Sequence, residues 1–445
     1  MQTNFTLDQL KDPKTAEAND ILRRCVHCGL CTAACPTYVL RGDERDSPRG
    51  RIYLIKGMLE SGEGADRAVV RHVDRCLSCL TCMTACPSGV DYMHLVDIAR
   101  DHIEKTHQRS PKERLVRRVL GRMLPDQRLF RRAMWAAIVA RPMRGLLHRL
   151  GMGGFARMLE VSSGQRPRRG RYHNVETVKS DSPNGRRVAL LRGCVQSALR
   201  PDITDATVRV LTLHGYEVVM EEQQGCCGAL QHHLGLTEAA EAQVMCNVDS
   251  FSAAMRHTPL EAIIATASGC GTMMKDYGHV LTRDKAYTER AAKIADLTMD
   301  VSEFLAGIEV APPKRWSDIT VAYHGACSLR NGQQIEAEPR ALLERVGFNV
   351  VEIAEPHLCC GSAGTYNILQ PEFSDELRER KTHNIAATGA DVVATGNICC
   401  LMQLRGGSSV PVVHTVELVD WALGGPLPPG MEGLEKRARG LHSRA

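Results

Sequence analysis

Cys25-Val-His-Cys28-Gly-Leu-Cys31-Thr-Ala-Ala-Cys35-Pro36 decides how the chain is read. Thiols stand at i, i+3, i+6 and i+10, and a proline follows the last. Some forty residues on, Cys76-Leu-Ser-Cys79-Leu-Thr-Cys82-Met-Thr-Ala-Cys86-Pro87 repeats the pattern. A single run of this kind can serve zinc. Two runs with the same spacing, and proline in the same place, point to two [4Fe–4S] clusters.

The composition fits a chain that uses thiols for metal. Of 445 residues, 18 are cysteine. The first twenty residues are polar and lack the apolar core of a secretory signal, and no apolar run reaches eighteen residues. A reducing, cytoplasmic setting is therefore expected, with the cysteines serving as ligands and not as disulfides. Aromatics make up 4%, so the cores must rest on aliphatic side chains. A chain of this length predicts several domains.

Around the two runs the pattern is helical. Apolar residues at 52, 54, 55, 58 and 59 keep a helical period, as do residues 66–74 and 90–103. Gly29 lets the backbone approach closely, and Pro36 and Pro87 end their loops. The runs resemble those of bacterial two-cluster ferredoxins. That resemblance implies that the fourth thiol of each run serves the other cluster. One cluster would then take Cys25, Cys28, Cys31 and Cys86, and the other Cys76, Cys79, Cys82 and Cys35.

Residues 105–171 hold 18 Lys/Arg against 3 Asp/Glu, whereas the whole chain is only +5. Trp135, Ile138, Met143, Leu146, Leu147, Leu150 and Phe155 alternate with arginines there, predicting basic amphipathic helices broken at Pro142 and at Gly151–Gly154. Such a segment either docks on anionic lipid or an acidic partner, or is a solvated inter-domain helix. No nucleic-acid motif accompanies the charge, so nucleic acid is not an expected partner. Residues 166–171 and 180–185 read as a flexible linker.

From Arg187 strands and helices alternate, predicting an α/β fold. Strands are expected at 188–191, 216–220, 262–266, 319–323, 349–353 and 391–395. The second half repeats the first. Cys194 to Cys226 spans 32 residues, as does Cys327 to Cys359, and each leads to a Cys-Cys-Gly. Cys227 to Cys270 spans 43 and Cys360 to Cys399 spans 39. All these cysteines follow strands, where open α/β sheets build their sites. Two four-thiol sites are expected, each able to hold a cluster or zinc: Cys194, Cys226, Cys227 and Cys270, then Cys327, Cys359, Cys360 and Cys399. Cys246 has no counterpart and reads as a core thiol. Cys400 has none either, because Gly271 stands there in the first repeat. His232, His233, His324 and His357 read as neighbours of these sites or surface residues, and Lys275 and Asp276 as structural.

The C…CCG…C repeat resembles the cysteine-rich CCG family, whose members include heterodisulfide reductases. A two-cluster helical ferredoxin, a spacer and two CCG domains, in that order, resemble the iron–sulfur subunits of bacterial glycolate oxidases. Thr266-Ala-Ser-Gly-Cys-Gly271 and Ala394-Thr-Gly-Asn-Ile-Cys399 carry that likeness. The corresponding component of anaerobic glycerol-3-phosphate dehydrogenase and lactate-utilisation iron–sulfur proteins are similar too. The implied fold is multidomain: an all-α ferredoxin domain (1–104), a basic spacer and linker (105–185), two α/β CCG domains (186–312 and 313–425) and a flexible tail (426–445).

The implied role is electron transfer within a membrane-associated, FAD-linked 2-hydroxy-acid dehydrogenase. Glycolate oxidation to glyoxylate belongs to partner flavoprotein subunits, because no flavin signature appears here. Quinone or another carrier is the implied acceptor, and the inner face of the cytoplasmic membrane the implied location. Glycerol-3-phosphate or lactate systems are alternatives, as are a heterodisulfide reductase-like catalyst and a zinc scaffold. The fullest CCG pattern ends in C-x2-C. Here Ala267 and Gly396 stand at the missing positions, which argues against disulfide-reducing chemistry.

Overall fold

The computed structural model describes residues 1–162, 166–256 and 258–440. From the N-terminus to Val161 the regular elements are helices and 3-10 turns. Proline in the first turn, after a side chain that caps the first amides, starts three of them. Asp12 accepts from Thr15 N ahead of Pro13–Arg24, Ser47 from Gly50 N ahead of Pro48–Ser61, and Ser110 from Glu113 N ahead of Pro111–Met123. The helix expected over 90–103 runs Tyr92–Thr106, because Asp91 caps it. Gly50 is required by close approach: a Cβ there would meet Glu44 O at 1.9 Å. The core beneath is aliphatic, with Leu22, Ile55, Val73, Leu95, Val96, Ala99 and Ile103 sealed from solvent.

The basic segment folds as Pro111–Met123, Gln127–Ala140, Arg144–Arg149 and Gly153–Val161. Pro142 makes a 3-10 turn, Arg141–Met143, instead of a clean break. The expected flexible linker is partly structured. Arg171 N and Tyr172 N donate to Asp205, and Thr177–Val178 forms a strand, β1.

Two sheets follow. The first holds β1, β2 (Arg187–Leu190), β3 (Glu217–Val219), β4 (Ala262–Ala265) and β5 (Thr298–Asp300), in the order β1-β3-β2-β4-β5. It is parallel except for β1. A short strand, β6 (Arg315–Ser317), precedes the second sheet. That sheet holds β7 (Thr320–Tyr323), β8 (Asn349–Glu352), β9 (Val392–Thr395) and β10 (Val412–His414), all parallel, in the order β10-β9-β7-β8. The strands β1, β5 and β10 carry too little pattern to be read in advance. The tail expected to be flexible includes β11 (Ala438–Gly440), which pairs antiparallel with β6; residues 441–445 of that tail lie outside the described residues.

The two sheet units share one core and meet through buried polar contacts. Arg200 grips Glu417 at 2.6 Å, and both side chains are sealed. His414 Nε2 lies 2.7 Å from Thr266 O, and Ser268 N donates to Gly396 O at 3.2 Å. The carboxyl ends of β4 and β9 therefore face each other. The helical N-terminal region touches both units, through Asn331 Nδ2 to Cys79 O (2.9 Å), Tyr366 Oη to Arg75 O (3.0 Å) and His94 to Asp276 (3.0 Å).

Candidate metal centres

Each ferredoxin-type run curls by the same device. His27 and Gly29 have positive φ (59° and 85°), and so do Ser78 and Leu80 (48° and 60°), at the same places in the second run. Left-handed backbone on both sides of the second thiol wraps the loop around a centre. Glycine supplies it freely at Gly29. At the other three positions His27, Ser78 and Leu80 adopt it under strain that the fold must hold.

The thiols group across the runs. Cys31 lies near Cys25 and Cys86, and burial, ahead of their influence, pushes its pKa up. A cavity of about 30 Å³ is lined by Cys25, Cys28, Cys31, Cys82 and Cys86. Cys82 is surrounded by Cys79, Cys76 and Cys35, and Cys79 neighbours Cys35. Burial first, then these neighbours, pushes the Cys79 and Cys82 thiols up. Thiols crowded in a buried site fit a cationic centre, which would bind them as thiolates. The outer group reaches the surface: Cys28 is exposed, beside exposed Val26 and Leu30. The inner group, Cys35, Cys76, Cys79 and Cys82, is buried.

Hydrogen bonds line the inner group. Arg51 Nη1 donates to Cys35 Sγ (3.7 Å), Tyr92 Oη to Cys76 Sγ (3.7 Å), Ser78 N to Cys76 Sγ (3.4 Å) and Thr81 Oγ1 to Cys79 Sγ (3.5 Å). Arg51 is fully buried. Burial works against its charge, but Cys76, Tyr92, Cys35 and Asp46 more than offset it, so its pKa is raised. Arg51 also donates to His72 O (2.7 Å) and Thr37 Oγ1 (2.9 Å). Arg100 Nη2 holds Cys76 O at 2.8 Å. Sequence reasoning missed these residues. The available signal was Arg51 itself, a cation on the apolar stripe that continues through Ile55, Met58 and Leu59.

The cysteines after the strands converge as well. Cys194, Cys226, Cys227, Cys270, Cys327, Cys359, Cys360, Cys399 and Cys400 all line one cavity of about 1180 Å³, with Cys76 at its edge. In the first repeat Cys226 and Cys194 lie 3.5 Å apart, and Cys227 touches Cys226 and Cys270. In the second, Cys327 and Cys359 lie 3.8 Å apart, and Cys360 touches Cys359 and Cys400. Cys400, set aside on sequence, thus takes the place beside Cys360. Cys399 lies towards Cys270 and Cys327, its thiol pushed up to about 12 by burial and then by Cys270. Cys246 is no core thiol: it is exposed, on the outward side of the helix Thr237–Ala254, and donates to Gln223 O.

Of the histidines, His324 is buried near Cys360 and Cys400. His232 and His233 flank buried Asp97, at 3.4 and 3.3 Å. His357 contributes its carbonyl to Thr81 Oγ1. Lys275 pairs with Glu303 at 2.8 Å, and Asp276 with His94.

These groups lie in sequence through space. Cys82, of the inner group, neighbours Cys31 of the outer group, and Cys79 neighbours both Cys327 and Cys359. Cys399 and Cys270 then line the same cavity. The inner ferredoxin-type group therefore abuts the second repeat, and the second repeat abuts the first.

The basic segment roofs the large cavity. Leu120, Phe130, Met134, Phe155 and Met158 line it from above. Several expected surface arginines are committed to structure instead. Arg109 and Arg117 pair with Asp74 at 2.7 and 3.0 Å, and Arg157 pairs with Asp375. On the outer side Trp135, Val139, Met143, Leu146 and Leu150 are exposed among exposed arginines at 132, 141, 144 and 149. No helix among the described residues is long and apolar enough to cross a membrane.

Comparison with known proteins agrees with the geometry. Residues 24–90 match the 4Fe-4S dicluster domain family, and residues 188–275 and 321–405 each match the cysteine-rich domain family (CCG). The glycolate oxidase iron–sulfur subunit of Escherichia coli (strain K12) is 37% identical over 427 residues, covering 95% of this chain and 99% of that protein. A probable glycolate oxidase iron–sulfur subunit of Bacillus subtilis (strain 168) is 32% identical, covering 91% and 94%. A crystal structure of a hypothetical protein from Helicobacter pylori shares the fold at 9% identity, with a TM-score of 0.52 over 93% of this chain and 73% of that one. The chain is an iron–sulfur protein, and it belongs to the family of glycolate oxidase iron–sulfur subunits.

Proposed function

We propose that this chain is the electron-relay subunit of a membrane-associated, FAD-linked glycolate dehydrogenase. The observation that carries the reading is a pair of thiol-lined cavities, one reaching from exposed Cys28 to Cys82 and the other from Cys76 to Cys270. Iron–sulfur clusters bound there would accept and release single electrons. Cys25, Cys28, Cys31 and Cys86 would hold one [4Fe–4S] cluster, and Cys76, Cys79, Cys82 and Cys35 the other. The cysteines after the strands would hold further metal. Proposed unit limits are 1–104, 105–185, 186–312, 313–425 and 426–445.

The residues around these groups have definable tasks. Arg51, Tyr92 and Thr81 donate to the inner thiols and stabilise their negative charge, which favours the reduced state of whatever they hold. Aliphatic burial excludes water from the inner group. Cys28 with Val26 and Leu30 presents the outer group to a partner flavoprotein, where FAD and glycolate oxidation to glyoxylate would reside. The outer face of residues 105–171, arginine-rich with exposed Trp135 and Met143, suits peripheral contact with anionic lipid on the cytoplasmic face. That would bring the cavity beneath it close to membrane quinone as acceptor.

The test is Cys28→Ser and Cys79→Ser in the assembled complex. Glycolate should still reduce the flavin, while turnover to a quinone analogue falls at least a hundredfold. Undiminished quinone turnover would refute the relay.

A further inference from the structure

The two cysteine-rich repeats share a scaffold but differ at three buried positions around the thiols. Leu191, three residues before Cys194, is matched by His324, three before Cys327. Gly271, after Cys270, is matched by Cys400, after Cys399. Val248 is matched, at the same offset from the Cys-Cys pair, by Lys381. All six are buried. Gly271 has no room for a larger residue without displacing a neighbour, since a Cβ there would meet Gln333 Nε2 at 2.6 Å.

In the second repeat the three substitutions converge. A ring nitrogen of His324, Cys360 Sγ and Cys400 Sγ lie within 4.8 Å of one another. No trio of ferredoxin-run thiols is that tight, among the described residues. His324 Nε2 is buried with no hydrogen-bond partner among the described residues. Such an orphan is destabilising unless something binds it. Asn397 Nδ2 donates to Cys400 Sγ at 3.6 Å and holds that thiol in place. Cys327 and Cys359 stand 3.8 Å apart, about the separation that ~2.3 Å bonds impose on two thiolates of one tetrahedral ion. The buried side-chain amine of Lys381 donates to Glu355 O at 2.6 Å and lies near Cys360, Cys359, Glu355 and Cys400.

We propose that the second repeat holds a metal centre with a mixed donor set, His324 Nε2 with the thiolates of Cys360 and Cys400 beside Cys327 and Cys359, whereas the site of the first repeat is thiolate-only. The ligand is a thiophilic d-block metal, either a single ion such as zinc or iron within a cluster, which share this donor chemistry. The inference rests on metal occupying the cysteine-rich sites, not on the substrate of the complex. Its readouts are therefore independent of glycolate turnover.

The full chain is purified anaerobically as wild type, His324→Leu, Cys400→Gly and His324→Cys. Iron and zinc are counted, and the reduced protein is measured by pulsed EPR. If iron is held, imidazole-nitrogen coupling is present in wild type and absent in His324→Leu, with the ferredoxin-type signals retained. If a single ion is held, His324→Leu and Cys400→Gly each lose about one zinc per chain relative to wild type, and any zinc of the first repeat stays. In either case His324→Cys, which restores a soft donor, keeps the metal. The wild type alone can overturn the proposal: about eight irons, no zinc and no nitrogen coupling would mean that the site takes no metal. Metal content and spectra unchanged by His324→Leu would mean that His324 is no ligand.

Discussion

The ferredoxin-type runs and the cysteine-rich repeats gather thiols by opposite means. Each run places three thiols within seven residues of one loop, and only the fourth comes from elsewhere. Each repeat draws its thiols from three strand ends, separated by more than thirty residues. The strands are fixed by their own aliphatic cores, with Val188, Leu190, Ile263, Val321 and Val393 fully buried. The runs are short loops that lead into single-turn helices, Leu30–Ala34 and Thr81–Thr84, and their positive-φ residues have no strand beneath them. Metal should therefore be a structural requirement in the first case and a guest in the second.

That difference can be broken directly. Cys79→Ser should lose about four irons and open residues 1–106 to proteolysis, whereas Cys227→Ser should leave the circular dichroism and the proteolytic pattern unchanged. Equal damage from both would mean that the sheets, too, need metal to fold.

Arg51 sharpens the comparison, because no cation of its kind lies against the first repeat's thiols among the described residues. Arg51→Met removes the donor to Cys35, Thr37 and His72 O, and leaves buried Asp46 with Arg75 and His72 alone. We expect a loss of about 3–5 kcal/mol, read in the melting temperature. In molecules that retain iron, the inner cluster's potential should become more negative, read by potentiometric titration. An unchanged potential would show that Arg51 serves packing alone.

The sheet units depend on each other through Arg200 and Glu417. Burial pushes the Glu417 carboxyl up despite Arg200, the mark of a pair that does not fully offset its desolvation. Arg200→Met should destabilise by about 3 kcal/mol, because it leaves a buried carboxyl unpaired. Arg200→Met with Glu417→Leu should recover more than half of that. A double variant as unstable as the single would assign Glu417 a second task, through its bond to His414 N.

Legibility followed the same division. Periodicity and spacing revealed both cluster runs, six of the strands and the repeat, because each depends on residues close together in sequence. The spatial succession was hidden. The second repeat, not the first, abuts the inner thiols, and that follows from Asn331 and Tyr366 docking on the N-terminal helices. The exchange of roles between Cys399 and Cys400 was hidden too: adjacent thiols at a helix start point in different directions, and spacing alone cannot choose between them. His324 looked like a neighbour because histidines near a motif usually are; only its burial and its orphaned nitrogen single it out.

The smallest expected effect concerns the seam between the N-terminal helices and the first repeat. His94 Nδ1 lies 2.6 Å from Asp91 and its Nε2 3.0 Å from Asp276, and its ring stacks on His279 at 3.6 Å. His279 in turn meets Glu17 at 2.6 Å. Burial works against a charged His94, yet Asp276 and Asp91 outweigh it and push its pKa up to about 10. A folded-state value raised above the unfolded one, about 6.5, stabilises fully below pH ~6.5 and is lost as pH climbs towards 10. Wild type should therefore lose stability between pH 6 and 9.5, on the order of 2 kcal/mol more than His94→Gln, whose side chain can bridge the two carboxylates only without charge. Urea midpoints at the two pH values measure this. Parallel shifts in wild type and variant would mean that the ring is neutral in the seam, and that this junction, unlike the thiol sites it connects, holds without charge.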